Sequence, residues 1–502
     1  MVSYPSSIVA AFLGHAARTP DKPCLLFEEE SWSYARMRTE GLRWAGAYRA
    51  AGVRPGDRVA LCLENSPSFV TAYLGAHLAG AIVVPVNTQY RQVELRHILS
   101  DAAVRLCVTD VPRRAELARV RDDLPELGLV VTVEVDDGRF LIHADPFEPT
   151  PPDAEDVALI GYTSGTTGRA KGAMLSHRNL AANAWAVTTA WGWTADDRLL
   201  LTLPLFHAHG LCVGLNGTLL VGATVDLRRK FEAAEVLDGL IEGEATMFFG
   251  VPTMYGRLIA EAERRGSVPR RLRLYVSGSA PLNVQTFADF ERLFGQRILE
   301  RYGMTETIMN LTNPLHGERR PGTVGVPFPG QEARIVDVQT RQPIEDERPG
   351  EIQVRGPHVF KGYWRNPEAT AEVFDPEGWF NTGDLGWRSH DGYYTISGRA
   401  RELIISGGFN VYPREVEDVL EGHPAVAEAA VLGLPDPDLG EQVAAAVVLS
   451  GPASEEELIA HCRDQLASYK KPRQLFFVES LPRNALGKVQ KHVLKEQLAP
   501  DR

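Results

Sequence analysis

The sequence predicts an α/β fold with largely parallel sheets, split into a large N-terminal domain and a small C-terminal one. Three observations predict it. At 502 residues the chain exceeds what one hydrophobic core serves. Short apolar runs alternate with helical runs over most of its length, the βαβ pattern of parallel sheets. After "GWFNTGDLG" (378–386) that alternation gives way to short strands and then to a terminal unit of helices and strands. The boundary is read near Arg399, giving domains 1–398 and 399–502.

Each element has its own local reason. Ile8, Val9, Phe12 and Leu13 recur at the spacing of one helix face. "DRVALCLEN" (57–65), "PSFVTAYLGAHLAG" (67–80) and "AIVVPVN" (81–87) read as strand, helix and strand. The pattern recurs with "ATMFFGV" (245–251) before "PTMYGRLIAEAERR" (252–265), and with "LRLYVSGS" (272–279) before a helix from about Val284. "ADPFEPTPPDAED" (144–156), rich in proline and acids, reads as an exposed connection. The terminal unit reads as helix "PREVEDVLEGH", strands "VAEAAVLGLP" and "QVAAAVVL", and a helix near "EEELIAHCRDQLA". No repeat of 20–50 residues is visible, which argues against a solenoid.

Composition narrows the function. The chain is 44% hydrophobic and 24% charged with a formal charge of −12, unlike the basic domains that bind nucleic acid. A local basic site for an anionic small molecule remains compatible with it. Cys24, Cys62, Cys107, Cys212 and Cys462 are scattered without metal or redox spacing and read as apolar residues of a reducing compartment. The first residues lack the basic start and cleavage site of a secretory signal, and no apolar run reaches a membrane span. The expectation is a cytoplasmic protein that engages neither membrane nor nucleic acid.

The stretch "LIGYTSGTTGRAKGAMLSH" (159–177) carries the chemistry first. A Walker loop needs a hydroxyl residue directly after its lysine and a helix directly after the loop. Here Gly172 follows Lys171, and "VALIGY" and "GAMLS" read as strands on either side, with Ser176 as the N-cap of the next helix. The loop joins strand to strand. Its backbone donors, the hydroxyls of Thr163, Ser164, Thr166 and Thr167, and the cations Arg169 and Lys171 suit a polyphosphate. Taken alone, the same residues suit a polar surface turn equally well.

Six further stretches follow in order: "PLFHAHG", "VSGSAPL", "ERYGMTET", "FNTGDLG", "ISGRARELIISGGFNVYPREVE" and "LPRNALGKVQK". With "YTSGTTGRAKG" they resemble the signatures of the adenylate-forming enzymes, from Tyr162 to Lys491. The resemblance implies βαβ-type subdomains plus a β-barrel-like part in the large domain, and a small mobile α/β domain. It also implies ATP, coenzyme A and Mg²⁺ in a two-step reaction. A carboxylate attacks the α-phosphate to give an acyl-adenylate and pyrophosphate, and a thiol then displaces AMP. The carboxylate is already ionised, so the first step needs charge neutralisation and in-line positioning rather than a base.

By resemblance, Lys488 bridges carboxylate and α-phosphate, Glu306 and Thr167 serve Mg²⁺, and Thr305 lies near the α-phosphate. Thr163, Ser164, Gly165, Thr166, Thr167, Gly168 and Lys171 form the phosphate loop. Gly278, Ser279, Ala280 and Pro281 wall the adenine, and Tyr302 lies against it, within the segment Glu300, Arg301, Tyr302, Gly303 and Met304. Asp384 holds the ribose hydroxyls with help from Arg399. Arg401 stands at the hinge, where the family usually has Asp or Lys. The hinge exchanges Lys488 for the segment of Gly407 and Gly408 between half-reactions.

The acid is read from further matches. "ERYGMTETIMNLTNPLHGERRPGTVG", "VPTMYGRL" and "VFKGYWRNPE" resemble malonyl-CoA synthetases. His207, Arg257 and Arg301 are then the substrate candidates, since a dicarboxylate needs cations at its far end, and by the resemblance Met309 limits the depth of the pocket. Arg257 equally reads as a solvated helix residue, and His207 as a gate for any acid. The first expectation is a malonyl- or methylmalonyl-CoA synthetase. The alternatives are a fatty- or aryl-acid–CoA ligase and a stand-alone adenylation domain that loads a carrier protein. A non-catalytic sensor would be expected to lose Lys488 or Glu306, and both are present.

Overall fold

The structure, a computed structural model, describes residues 4–142, 152–163, 170–345, 347–406, 409–436, 439–484 and 487–498. The chain forms two compact units, one of residues 1–332 and 354–380 and one of residues 333–353 and 381–502.

The first unit holds two sheets. One has nine strands in the order Val326–Pro327, Leu311–Thr312, Leu299–Tyr302, Leu274–Ser277, Met247–Gly250, Arg198–Leu201, Thr224–Leu227, Pro23–Phe27 and Glu30–Ser33. Its six central strands run parallel, and the short edge strands pair antiparallel. The other has six strands in the order Leu129–Thr132, Leu106–Thr109, Arg58–Cys62, Ile82–Pro85, Val157–Thr163 and Lys171–Ser176. All but the last are parallel. Strands buried on both faces by crossover helices must be apolar throughout, as "MFFG" and "LYVS" are.

The helix Pro252–Arg265 coincides with its sequence expectation, and that from Val284 ends at Phe294. Both pack Tyr255, Leu258 and Phe290 against Phe248 and Tyr275 of the nine-stranded sheet. Each such side chain contributes roughly 1.5–3 kcal/mol by leaving water. Val157–Thr163 and Lys171–Ser176 form the expected antiparallel pair across the loop. Ser176 caps the helix His177–Ala190 by accepting from the Asn179 amide at 3.1 Å. The connection expected at 144–156 lies outside the described residues as far as 151.

The second unit departs from the expectation of parallel sheets. The barrel-like part is a five-stranded sheet in the order Pro343–Ile344, Glu332–Val336, Gly350–Arg355, Phe380–Arg388 and Tyr394–Arg399, antiparallel at both outer pairs. The terminal sheet runs Phe409–Val411, Ile404–Ser406, Gly440–Leu449 and Val426–Asp436, with Gln474–Phe477 added parallel to Gly440–Leu449. The antiparallel pairs follow short connections, as between Phe380–Arg388 and Tyr394–Arg399, whereas the parallel addition of Gln474–Phe477 follows a crossover through the helix Glu455–Gln465. The helices Pro413–Glu421 and Glu455–Gln465 close its core around Val416, Leu420, Val431 and Leu458.

Candidate active site

The parallel strands of the nine-stranded sheet end on one edge, and the motifs follow those carboxyl ends, where α/β sheets bind ligands. Ser277 leads to Gly278–Pro281, Tyr302 to Gly303–Glu306, and Leu201 to "PLFHAHG". Two of the seven described non-glycine residues with positive φ lie beside them. Ser279 has φ 70° and Ile308 φ 61°, and a β-branched residue in the left-handed region persists only where its surroundings enforce it.

Two clusters result. In the first, Glu306 is 5% exposed and accepts from the Tyr363 hydroxyl at 3.0 Å. The Lys171 ammonium lies 5.2 Å from the centre of the same Tyr363 ring. Thr305 packs against Gly161, where a Cβ would stand 2.6 Å from its methyl group, so only glycine permits the approach. Thr163 donates to the Lys171 carbonyl at 3.4 Å. Both ends of the loop between Val157–Thr163 and Lys171–Ser176 are tied to the helix Gln92–Asp101. Tyr162 donates to Asp101 at 2.5 Å, and His97 bonds the Ala170 carbonyl at 2.8 Å. Ser164, Gly165, Thr166, Thr167, Gly168 and Arg169 lie outside the described residues.

The second cluster surrounds Arg301, which is 3% exposed. Its Nε and one terminal nitrogen have no hydrogen-bond partner among the described residues. A Cβ on Gly278 would lie 2.5 Å from the guanidinium carbon, so glycine is needed here too. Burial lowers this guanidinium to about 9, against the smaller opposing effects of Glu300 and Tyr255. His209 stands beside it, bonded to the Ser279 hydroxyl at 3.2 Å and stacked on Phe249. Burial, then the charge of Arg301, then His207, holds His209 well below the usual histidine range. His207 Nδ1 accepts from the His209 amide at 3.3 Å.

The remaining candidates separate. Met309 is buried, and its carbonyl accepts from Asn183 at 2.9 Å. Tyr302 is buried with its hydroxyl 3.9 Å from the Met304 sulfur, and Glu300 accepts from the Leu282 amide at 2.9 Å. Ala280 is half-buried and Pro281 exposed. Arg257 is exposed on its helix with Glu232 as a charge neighbour, and is not brought to Arg301. In the second unit, Asp384 pairs with Arg399 at 2.7 Å, its side chain 5% exposed. Lys488 is exposed; its amide donates to Asn484 Oδ1 at 3.0 Å and its carbonyl accepts from the Asn484 amide at 2.9 Å. Gly407, Gly408 and the Arg401 side chain lie outside the described residues.

His209, Tyr363 and Asp101 are absent from the sequence reading. The repeated histidine of "HAH" was the available signal for the first; nothing local marks the other two.

The AMP-binding enzyme family matches residues 12–364, and the AMP-binding enzyme C-terminal domain matches residues 415–488. The chain belongs to this family. It is similar to the malonate–CoA ligase of Arabidopsis thaliana, 34% identical over 98% of this chain and 88% of the relative. The sulfoacetate–CoA ligase of Cupriavidus necator is 38% identical over 97% and 96%. The crystal structure of ATP-bound MatB from Rhodopseudomonas palustris superposes with a TM-score of 0.92, at 39% identity over 98% of both chains. The chain is an AMP-forming acyl-CoA synthetase that uses ATP and coenzyme A. Among the described residues no helix is long and apolar enough to cross a membrane.

Proposed function

We propose that this acid–CoA ligase activates malonate or methylmalonate. The observation that carries the reading is Arg301, buried with its Nε and one terminal nitrogen unmatched and no carboxylate bonded to it among the described residues. An isolated buried cation is costly, and an anion that enters beside it removes the cost. The far carboxylate of a short dicarboxylate is that anion, with Ser279 and neutral His209 as its other polar neighbours. Malonate and sulfoacetate, named for the two relatives, both carry an anionic group at the far end.

The reacting carboxylate is ionised at neutral pH and attacks the α-phosphate in line. A carboxyl oxygen–phosphorus bond forms, the bond to the β-phosphate oxygen breaks, and pyrophosphate leaves. Lys488 neutralises charge between carboxylate and α-phosphate in that step. Thr305 steadies the α-phosphate, while Lys171 and the loop 163–168 hold the β- and γ-phosphates. Tyr302 and the backbone of Gly278–Pro281 hold the adenine, and Asp384 with Arg399 holds the ribose. The thiol of coenzyme A then attacks the acyl carbon and AMP departs, Gly407 and Gly408 leaving room for the pantetheine arm.

Mg²⁺, when bound, withdraws charge from the phosphate oxygens. Glu306, an oxygen donor steadied by Tyr363, fits a hard cation, and Thr167 would join it. Phosphate oxygens of ATP would supply further ligands beside these two residues. The functional boundary is placed at Arg399 with Arg401 as hinge.

The test is ATP- and coenzyme A-dependent AMP release over a panel of acids. Malonate or methylmalonate is expected to give the highest kcat/KM. Turnover of octanoate or benzoate without malonate-dependent AMP contradicts the reading.

A further inference from the structure

We propose that the first unit carries a second anion site, apart from the catalytic one, for a small multivalent phosphate such as pyrophosphate. The catalytic motifs follow the carboxyl ends of the parallel strands. At the amino ends of two of those strands, before Leu274 and Leu299, lies a cavity of about 300 Å³. Arg271, Arg273, Arg297 and Arg319 line it, with Glu291 as the one carboxylate among the described lining residues.

Local pairing leaves the charge unbalanced. Arg273 is matched by Asp197, at 2.8 and 3.0 Å, and Arg297 takes Glu291 at 2.7 Å. Glu318, which precedes Arg319 in the chain, pairs with Arg320 at 2.8 Å and is also a charge neighbour of Arg297. Arg271 and Arg319 have no carboxylate partner among the described residues. Among the described residues the Arg319 guanidinium is fixed by carbonyls alone, those of Arg297 at 2.6 Å and Leu315 at 3.3 Å. Burial, then the charge of Arg271, lowers it. Gln296 grips the Leu272 backbone in both directions, at 3.0 and 2.7 Å. That grip fixes the chain between Arg271 and Arg273.

Two uncompensated arginines on a braced cavity wall are a preorganised receptor for an anion of charge −2 or more. The guanidinium fork matches phosphate oxygens. The volume is at the small end for ligand pockets and suits pyrophosphate with its hydration rather than a whole nucleotide.

Isothermal titration of the full chain with inorganic pyrophosphate tests this. The wild type is expected to bind one more equivalent than Arg271→Ala and than Arg319→Gln. Both variants should keep the wild-type kcat and KM for ATP and acid. Arg271 is exposed, so its replacement leaves the fold intact and keeps the test open if Arg319→Gln misfolds. Equal stoichiometry and affinity in the wild type and in Arg271→Ala overturn the proposal. Should the catalytic reading fail instead, the wild type binds one equivalent and the variants none, which separates the two ideas.

Discussion

The two units hold the cations of the proposed chemistry in opposite ways. In the first, Arg301 is dry, walled by Gly278 and neighboured by a neutral histidine. In the second, Lys488 is exposed on a segment closed by two bonds to Asn484. A buried charge is expensive and can only be kept for a ligand that compensates it, so burial suits recognition. An exposed ammonium keeps its hydration until the step that uses it. A residue that serves one half-reaction and withdraws for the next is held best that way. On the proposed mechanism, the difference teaches that specificity belongs to the first unit and timing to the second.

The largest expected effect breaks the second half of that comparison. Lys488→Ala should reduce adenylate formation by at least ~10²–10³-fold, the scale of losing a transition-state charge stabiliser. It should leave the melting temperature and the thioesterification of supplied acyl-adenylate intact. Equal loss of both half-reactions, measured by pyrophosphate exchange and by acyl-CoA formation, contradicts the division of labour.

Acid stability sharpens the first half. Four buried histidines of the first unit, His77, His177, His209 and His358, are held neutral by burial. His177 is lowered to about 4 and His358 to about 3. A histidine whose folded pKa lies below its unfolded value stabilises the fold above about 6.5, and that stability is lost as pH falls toward the folded pKa. At about 1.4 kcal/mol per pKa unit, His177 alone contributes on the order of 3 kcal/mol. Calorimetry between pH 7 and pH 4.5 should show the first unit's transition falling steeply, and His177→Gln should flatten the fall. A pH-independent transition refutes the burial argument.

The smallest effect concerns the braces of the loop proposed to hold the phosphates. Tyr162→Phe and Asp101→Asn each remove or weaken one hydrogen bond, worth roughly 0.5–1.5 kcal/mol. KM for ATP should rise by about 2–10-fold with KM for the acid unchanged. A matching rise in both would make the bond a general structural one.

Much of this was legible in the sequence because its causes are local. Periodicity over 252–265 marks the helix there, and Ser176 marks the start of the next one. The strands at Leu311–Thr312 and Val326–Pro327 are too short for any period to register. The second unit reads as strands, but the connections rather than strand composition decide their direction. Within the site, Arg301 and Glu306 are visible as motif residues, whereas their surroundings are not. His209 meets Ser279 across 70 residues and Tyr162 meets Asp101 across 61; such contacts exist only once the sheets have formed. For Gly278, the sequence reading was a backbone wall for adenine. The fold adds that its missing side chain is what admits Arg301.

The most direct test compares malonate with propionate, an acid of the same length without the far charge, in the wild type and in Arg301→Gln. The wild type should favour malonate in kcat/KM by roughly 10²-fold or more, as a desolvated charge pair requires. Arg301→Gln should bring that ratio to within about tenfold of unity. A wild type indifferent between the two acids, or a preference that survives the substitution, would contradict the assignment of Arg301 as the receptor for the second carboxylate.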